Sequence, residues 1–282
     1  MIGDNSISDG KEEWLLLILH KAFFGKDGDK IMKITNEIPK DWRHLQYLVC
    51  KYLNQAGYSA EVAKTINTVR GKVEVDVFVT AKNELLKQFI CECKFWQTAV
   101  PKEKIHAFRM QVQDSGSMVG IFISTAGYQS GAIEAASCSN VLLKDWDGFI
   151  ALIANQWLKR RLIHLKKVVG PLSIYTDPMD VPEEIFSVPD DAATYKEMAV
   201  KYMPVYIVAA SLGMEVFDKE SVELNGNLFE DFNSLFDYIE NIAVSAISEF
   251  EQLFEKYPKE QWKFDCLDHM GISMLRGILN EE

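Results

Sequence analysis

The hydrophobic periods of this 282-residue chain predict an α/β domain with a central mixed β-sheet flanked by helices, followed by a mainly α-helical region. Three observations carry that expectation. GKVEVDVFV (71–79) and FICECKFW (89–96) alternate with the period of two that marks strands. Leu45, Leu48, Val49, Tyr52 and Leu53 recur at i, i+3 and i+4, the spacing of a buried helix face. Beyond the middle of the chain the alternation gives way to one long apolar stripe over 228–256.

Taken in order, residues 1–38 read as an N-terminal helical segment, with a capping Ser8 or Asp9, the apolar run WLLLILHKAFF (14–24), the loop GKDGDK (25–30) and a second short helix. Pro39 punctuates, and Asp41 is an N-cap candidate for a helix over 42–56 that ends at Gly57. YSAEVAK (58–64) reads as a short strand. TAKNELLK then turns the strand over 71–79 back into 88–96. Pro101 opens a helix over 102–113, 118–124 is a buried strand, 128–138 a helix, and 141–143 a last strand before a helix starting near Asp147. The order α-β-β-β-α-β-α-β implies a hairpin feeding a right-handed crossover. The expected domains are 1–38, 39–157, a basic segment and linker over 158–184, and an acidic helical domain over 185–282. In the last of these, Asn227 with Glu230 reads as a capping box and Pro258 as a stop. The stripe over 228–256 is a packed bundle helix or, as the sharper alternative, a dimer interface.

Composition narrows the function classes. The run 14–24 is too short to span a bilayer, and Asp9, Glu12 and Glu13 before it are unlike a secretory leader. The expectation is a cytoplasmic protein without a membrane segment. Five scattered cysteines, an odd number, read as reduced core thiols. The net charge of −11 disfavours a nucleic-acid partner only on average, because residues 171–282 hold 7 basic and 23 acidic side chains. Residues 41–150 hold 12 and 11, so that part can still face a polyanion.

Chemistry concentrates on the two alternating strands. The valines of 73–79 share one face and leave Glu74, Asp76 and Phe78 on the other. Matching the apolar faces of an antiparallel pair 73–80/88–96 requires paired numbers with an even sum, and a turn centred near Glu84 sets it at 168. Asp76 then faces Glu92, and Glu74 faces Lys94, with Cβ atoms about 5 Å apart. Two adjacent carboxylates repel. A hard cation such as Mg²⁺ or Mn²⁺ compensates them, polarises a phosphoryl oxygen and acidifies a bound water. A nearby ammonium offsets charge in the transition state. Asp76 with Glu92-x-Lys94 is thus a minimal kit for phosphodiester hydrolysis. The plain structural reading, a half-exposed polar sheet face, competes with it.

Several stretches in this order resemble one family. They are LQYLVCKYLNQAGYSAEV (45–62), GKVEVDVFV, ICECKFW, GIFISTAGYQSGAIEAAS (120–137) and LLKDWDGF (142–149). Together they are similar to the Mrr-like restriction endonuclease domain of the PD-(D/E)xK nuclease superfamily, over about 45–150. The resemblance implies a restriction-endonuclease-like core and a Mg²⁺- or Mn²⁺-dependent DNA endonuclease leaving 5′-phosphate ends, with a role in restriction or defence against foreign DNA. It makes Asp76 and Glu92 the metal ligands and Lys94 the residue orienting the attacking water. A homodimer is expected, since two strands require two sites. The family's first helix usually supplies a glutamate where this chain has Gln46, with Glu74 as a substitute, and many relatives carry Gln-x-Lys in place of Glu92-x-Lys94. Gln46 supports the alternative of a silent nucleic-acid-binding module on the same fold; RNA or branched DNA are alternative substrates. Gln111 is a further supporting candidate. Lys72, Lys102, Lys104, Arg109, Ser124 and Thr125 are candidate nucleic-acid contacts, each weighed against ordinary surface or turn roles. Cys91-x-Cys93 lacks a second pair for zinc.

Overall fold

The computed structural model describes residues 32–82, 86–212 and 220–258. The predicted helix over 14–24, Cys266 and the turn centre at Glu84 lie outside the described residues. The chain divides into two compact units, Glu37–Arg160 and Met1–Asn36 with Arg161–Glu282.

The unit 37–160 contains α1 (Trp42–Gln55), β1 (Ser59–Thr68), β2 (Gly71–Thr80), β3 (Gln88–Lys94), α2 (Lys102–Asp114), β4 (Val119–Ser124), α3 (Ser130–Ser137), β5 (Val141–Lys144) and the first part of α4 (Trp146–Val169). This is the expected α/β order. The five strands form one mixed sheet in the order β1-β2-β3-β4-β5, antiparallel over the first three and parallel over the last three. Asp41 caps α1 by accepting the His44 N–H at 2.8 Å, and the α1 stripe is fully buried against β1, β2 and β3. On the α2–α3 side, Ile90, Phe122 and Val75 join Ile105, Phe108 and Val112 in a second core. Both faces of β3 and β4 are therefore covered, which explains why Ile90 is as buried as Cys91 although only the odd-numbered face reads as uniformly apolar. At Gly120 the sheet meets α2 so closely that an added Cβ would lie 2.4 Å from Val112 Cγ2.

β1 is longer than the expected 58–64. Its extension pairs with β2 in a hairpin closed at Thr68↔Gly71, where Gly71 adopts φ 118° and the Thr68 hydroxyl donates to the Gly71 carbonyl at 2.8 Å. Turn chemistry rather than apolar alternation continues this strand, because its outer residues are polar.

Residues 32–38, of which 32–36 belong to the second unit, are not the expected helix. The Lys33 and Ile34 carbonyls accept the Phe232 and Asn233 N–H groups, in a short parallel bridge. Then follow the rest of α4, α5 (Leu172–Tyr175), a 3₁₀ turn (Glu183–Ser187), α6 (Pro189–Ser211), a hairpin of β6 (Val222–Leu224) with β7 (Asn227–Phe229), and α7 (Phe232–Phe254). The basic run 158–167 is helical, with Leu162, Ile163 and Leu165 buried. The stretch 171–184, expected as a linker, buries Leu172, Ile174, Tyr175 and Val181. Its prolines shape packed turns.

The stripe of α7 is internal. Phe232, Phe236, Ile239, Phe250 and Phe254 are fully buried, with Tyr175, Tyr195 and Tyr202 packed tilted or edge-on around Phe250. That face is consequently unavailable as the dimer surface considered above. The helix starts later than the Asn227–Glu230 pattern suggests, because Asn227 belongs to β7. Asp231 is the N-cap, accepting from the Ser234 N–H at 2.8 Å and the Ser234 hydroxyl at 2.9 Å. Replacing Asp231 with Ala is expected to destabilise the protein by about 1–2 kcal/mol, readable by chemical denaturation. Asn at this position should recover most of the loss.

Candidate active site

The β2–β3 pairing follows the parity required by the two apolar faces: Val77↔Cys91, Phe78↔Ile90, Val79↔Phe89 and Thr80↔Gln88. It stops one residue short of Asp76↔Glu92. On the other side of β2, the pairing with β1 skips Ala63, which sits at φ 52° between Val62↔Val77 and Lys64↔Val75. Asp76 thus lies where both ladders lapse. The strand also changes face there: Val77 shares the face of Cys91, whereas Val75 packs in the core that holds Ile90. Freed from regular pairing, the Asp76 carboxylate serves as the acceptor for the Cys93 N–H, at 2.8 Å through Oδ2. A side-chain oxygen here replaces a strand carbonyl, and fixes the carboxylate against the backbone that carries Glu92 and Lys94.

Lys94 lies between the two acids. Its Nζ is in contact with Glu92 Oε1 and lies 3.7 Å from Asp76 Oδ2. All three side chains are about one-fifth exposed, at 23% for Asp76, 20% for Glu92 and 23% for Lys94, so water and a ligand can reach them. Burial and then the Asp76 charge push the Glu92 carboxyl above its ordinary 4.5, against the pull of Lys94 and Lys104. Burial works against the charge of Lys94, but Glu92 and Asp76 overcome it and raise the ammonium. The cluster resists two negative charges and currently satisfies them with one lysine.

That electrostatic conflict gives a pH signature. Below 4.5 Glu92 is protonated in the folded and unfolded chains alike; above its raised folded value the fold must ionise a carboxyl it resists. Stability of the parent should therefore fall relative to Glu92→Gln as pH rises from about 4 to about 8 in chelator. Melting curves of both proteins across that range read the slope. A difference that is flat or shrinks would contradict the raised value.

The donor set fits a hard divalent cation: two carboxylates whose mutual repulsion a cation relieves, with the remaining positions left to water and substrate oxygens. Among the described residues there is no group of three or more His, Cys, Asp or Glu that could hold a metal ion. Cys91 and Cys93 are buried thiols, both raised mainly by burial, and belong to the core.

The other candidates are placed as follows. Gln46 is buried on α1, and among the described residues no hydrogen bond joins it to Asp76, Glu92 or Lys94. Glu74 pairs with Thr65 on β1 and is exposed, so it does not face Lys94. Gln111 is half-buried on α2. Lys72 is exposed on the β1–β2 hairpin, and Lys102 is exposed at the start of α2. The Arg109 guanidinium donates to the Ala135 carbonyl at 2.9 Å and ties α2 to the end of α3. Ser124 is fully buried beside Lys94 in the parallel β3–β4 register, and its hydroxyl accepts the Ala126 N–H at 3.3 Å. This makes it a turn cap rather than a surface phosphate contact. The Thr125 N–H donates to the Lys94 carbonyl at 3.1 Å and its hydroxyl to that of Trp96 at 3.1 Å, which secures the strand end carrying Lys94.

Two residues gain importance from the structure. Lys104, read in the sequence as one surface lysine among several, sits 6.0 Å from the Trp96 ring centroid, and its charge is felt at Glu92. The Tyr128 hydroxyl lies 2.7 Å from the Phe122 carbonyl and 2.8 Å from that of Lys144, bracing β4 against β5 behind the Ser124 turn. A tyrosine in the turn between a strand and a helix carries no periodic signal that would single it out.

No curated protein matches the chain. Among solved structures it is similar to a protein of unknown function, AF1548, at 12% identity and TM-score 0.35, over 77% of this chain and 100% of that one. It is also similar to AspBHI, described as a DNA modification-dependent restriction endonuclease, at 10% identity and TM-score 0.25, over 55% of this chain and 38% of that one. The family model of the Mrr restriction endonuclease matches residues 40–153, which include α1, the whole sheet, Asp76, Glu92 and Lys94. Over residues 40–153 the chain is similar to this restriction endonuclease family.

Proposed function

We propose that the domain is a divalent-metal-dependent endonuclease that hydrolyses DNA phosphodiester bonds, with Asp76 and Glu92 holding Mg²⁺ or Mn²⁺ and Lys94 serving the attacking water. The observation that carries this reading is the convergence of the three side chains at the one place where β2 leaves both of its ladders. A bound cation would supply polarisation of a phosphoryl oxygen and a more acidic water. The Asp76 carboxylate is held in place by the Cys93 N–H. Glu92, which contacts Lys94 through Oε1, would share its carboxylate between Lys94 and the cation or exchange one for the other. Lys94, once released, presents three N–H donors that orient the attacking water and offset negative charge gathering on phosphorus. Thr125 keeps the Lys94 backbone fixed while the side chain turns. Restriction of foreign DNA by a cytoplasmic homodimer, leaving 5′-phosphate ends, is the biological setting that accords with this chemistry.

The silent-module reading draws on Gln46, which adds no third carboxylate. Metal binding separates the two. Mn²⁺ should raise the melting temperature of the parent and leave that of Asp76→Asn unchanged. Absence of any shift in the parent would favour the silent module. Incubation with methylated and unmethylated plasmid, linear single strands, branched DNA and RNA assigns the substrate, and cleavage of RNA alone would overturn the DNA assignment.

A further inference from the structure

The second unit carries a groove that the nuclease chemistry does not use. It has a volume of about 590 Å³, with Pro178 and Phe186 along one side and Ala192, Ala199, Met203 and Ile207 of α6 along the other. Its α6 wall continues outward into an apolar stripe at helical spacing, in which Val200 is 70% and Ile207 54% exposed. Isolated exposed apolar residues are ordinary, but a stripe lining a concavity marks a contact surface. From Ala192 to Ile207 the helix rises about 22 Å, or four turns, longer than one small molecule and the length of a short helix laid alongside. The small side chains of Ala192 and Ala199 let another backbone approach.

Charge selects the occupant. The segment 177–197, which supplies Pro178, Phe186, Ala192 and Tyr195 to the groove, carries the exposed acids Asp180, Glu183, Glu184, Asp190 and Glu197, and the charges of Asp177 and Asp180 are felt at Tyr195 in the lining. Of the nearby bases, Lys201 is engaged with Glu249 at 3.7 Å, and Lys196 lies on the rim. The buried Tyr195 borders the groove with a hydroxyl that has no hydrogen-bond partner among the described residues, and its phenol is pushed up by burial and by the charges of Asp177 and Asp180. A second copy would set a net −16 over residues 171–282 against the same −16. The chain's own segments 1–31, with 4 basic and 6 acidic residues, and 259–282, with 3 and 5, have the wrong sign too.

We propose that this α6 groove docks a basic amphipathic helix of a partner protein, seated on Met203 and Ile207 and held by the acidic rim. The test uses the full-length protein and a fluorescent model helix of leucine and lysine of about 18 residues, with a leucine–glutamate helix of the same apolar face as control. Anisotropy at physiological salt should show saturable binding of the lysine helix and none of the glutamate helix. The double variant Met203→Glu, Ile207→Glu adds negative charge, so attraction by charge alone would strengthen binding, whereas loss of an apolar seat should weaken it at least about tenfold. Both side chains reach solvent, and an unchanged melting curve shows that the variant folds. Glu183→Lys with Glu184→Lys should weaken the same peptide. The proposal is overturned by no binding to the parent, by undiminished binding to the Glu double variant, by equal binding of the glutamate helix, or by a parent dimer that the double variant dissolves.

Discussion

Lys94→Met is expected to bind Mn²⁺ about tenfold more tightly than the parent while cleaving DNA at least about 100-fold more slowly. The two effects have one origin. Lys94 is the cation that Asp76 and Glu92 share, with Nζ on Glu92 and 3.7 Å from Asp76. A cation held by Asp76 and Glu92 would compete with it for their oxygens. A charge pair at this separation is worth about 1 kcal/mol in water and about 4 kcal/mol in partly buried surroundings, so removing the competitor is worth at least about a factor of ten in affinity. Methionine keeps the length and apolar stem of the side chain but cannot compete for the carboxylates. It also cannot orient water or offset charge on phosphorus, hence the loss of rate. Calorimetric titration with Mn²⁺ reads the first effect and plasmid cleavage the second. Weaker metal binding in the variant would mean that Lys94 supports the metal site rather than occupying it.

Asp76→Ala should abolish cleavage and also cost about 1–3 kcal/mol of stability, because the Cys93 N–H, 2.8 Å from Asp76 Oδ2, loses its acceptor inside the sheet. Asp76→Asn separates the two roles. Its side-chain carbonyl still accepts that N–H, so most of the stability should return, while the charge needed for metal does not. Denaturation curves together with Mn²⁺ shifts distinguish them. Equal destabilisation by Ala and Asn would show that the anionic charge, rather than the hydrogen bond, holds β2 to β3 at this point.

The parity of the β2–β3 pair was legible because both strands alternate and because a one-residue slip would turn Val77 and Val79 to the wrong face. What lay beyond reach was the lapse at Asp76. It depends on Ala63 adopting a left-handed backbone, in a strand whose polar exterior shows little alternation. Strict pairing would have set Asp76 opposite Glu92 and Glu74 opposite Lys94; the break instead gives Asp76 the Cys93 N–H and leaves Glu74 on the outside. Ser124 illustrates a different limit. A hydroxyl beside a glycine-containing turn reads alike whether it faces solvent or caps the turn from inside, and only the packing of β4 between β3 and β5 decides. In the second unit, the prolines and acids of 171–184 looked like linker composition, yet spaced apolar residues among them were enough to bury the segment. The α7 stripe gave its helix correctly but not its partner, since an internal bundle face and a dimer face have the same periodicity.

The most direct test of the catalytic centre is supercoiled-plasmid cleavage by full-length parent and Glu92→Gln, each with Mg²⁺ or Mn²⁺ and with chelator. The account predicts nicked or linear product from the parent only when metal is present, and none from the variant although it folds. Metal-dependent cleavage of equal rate by Glu92→Gln would contradict it.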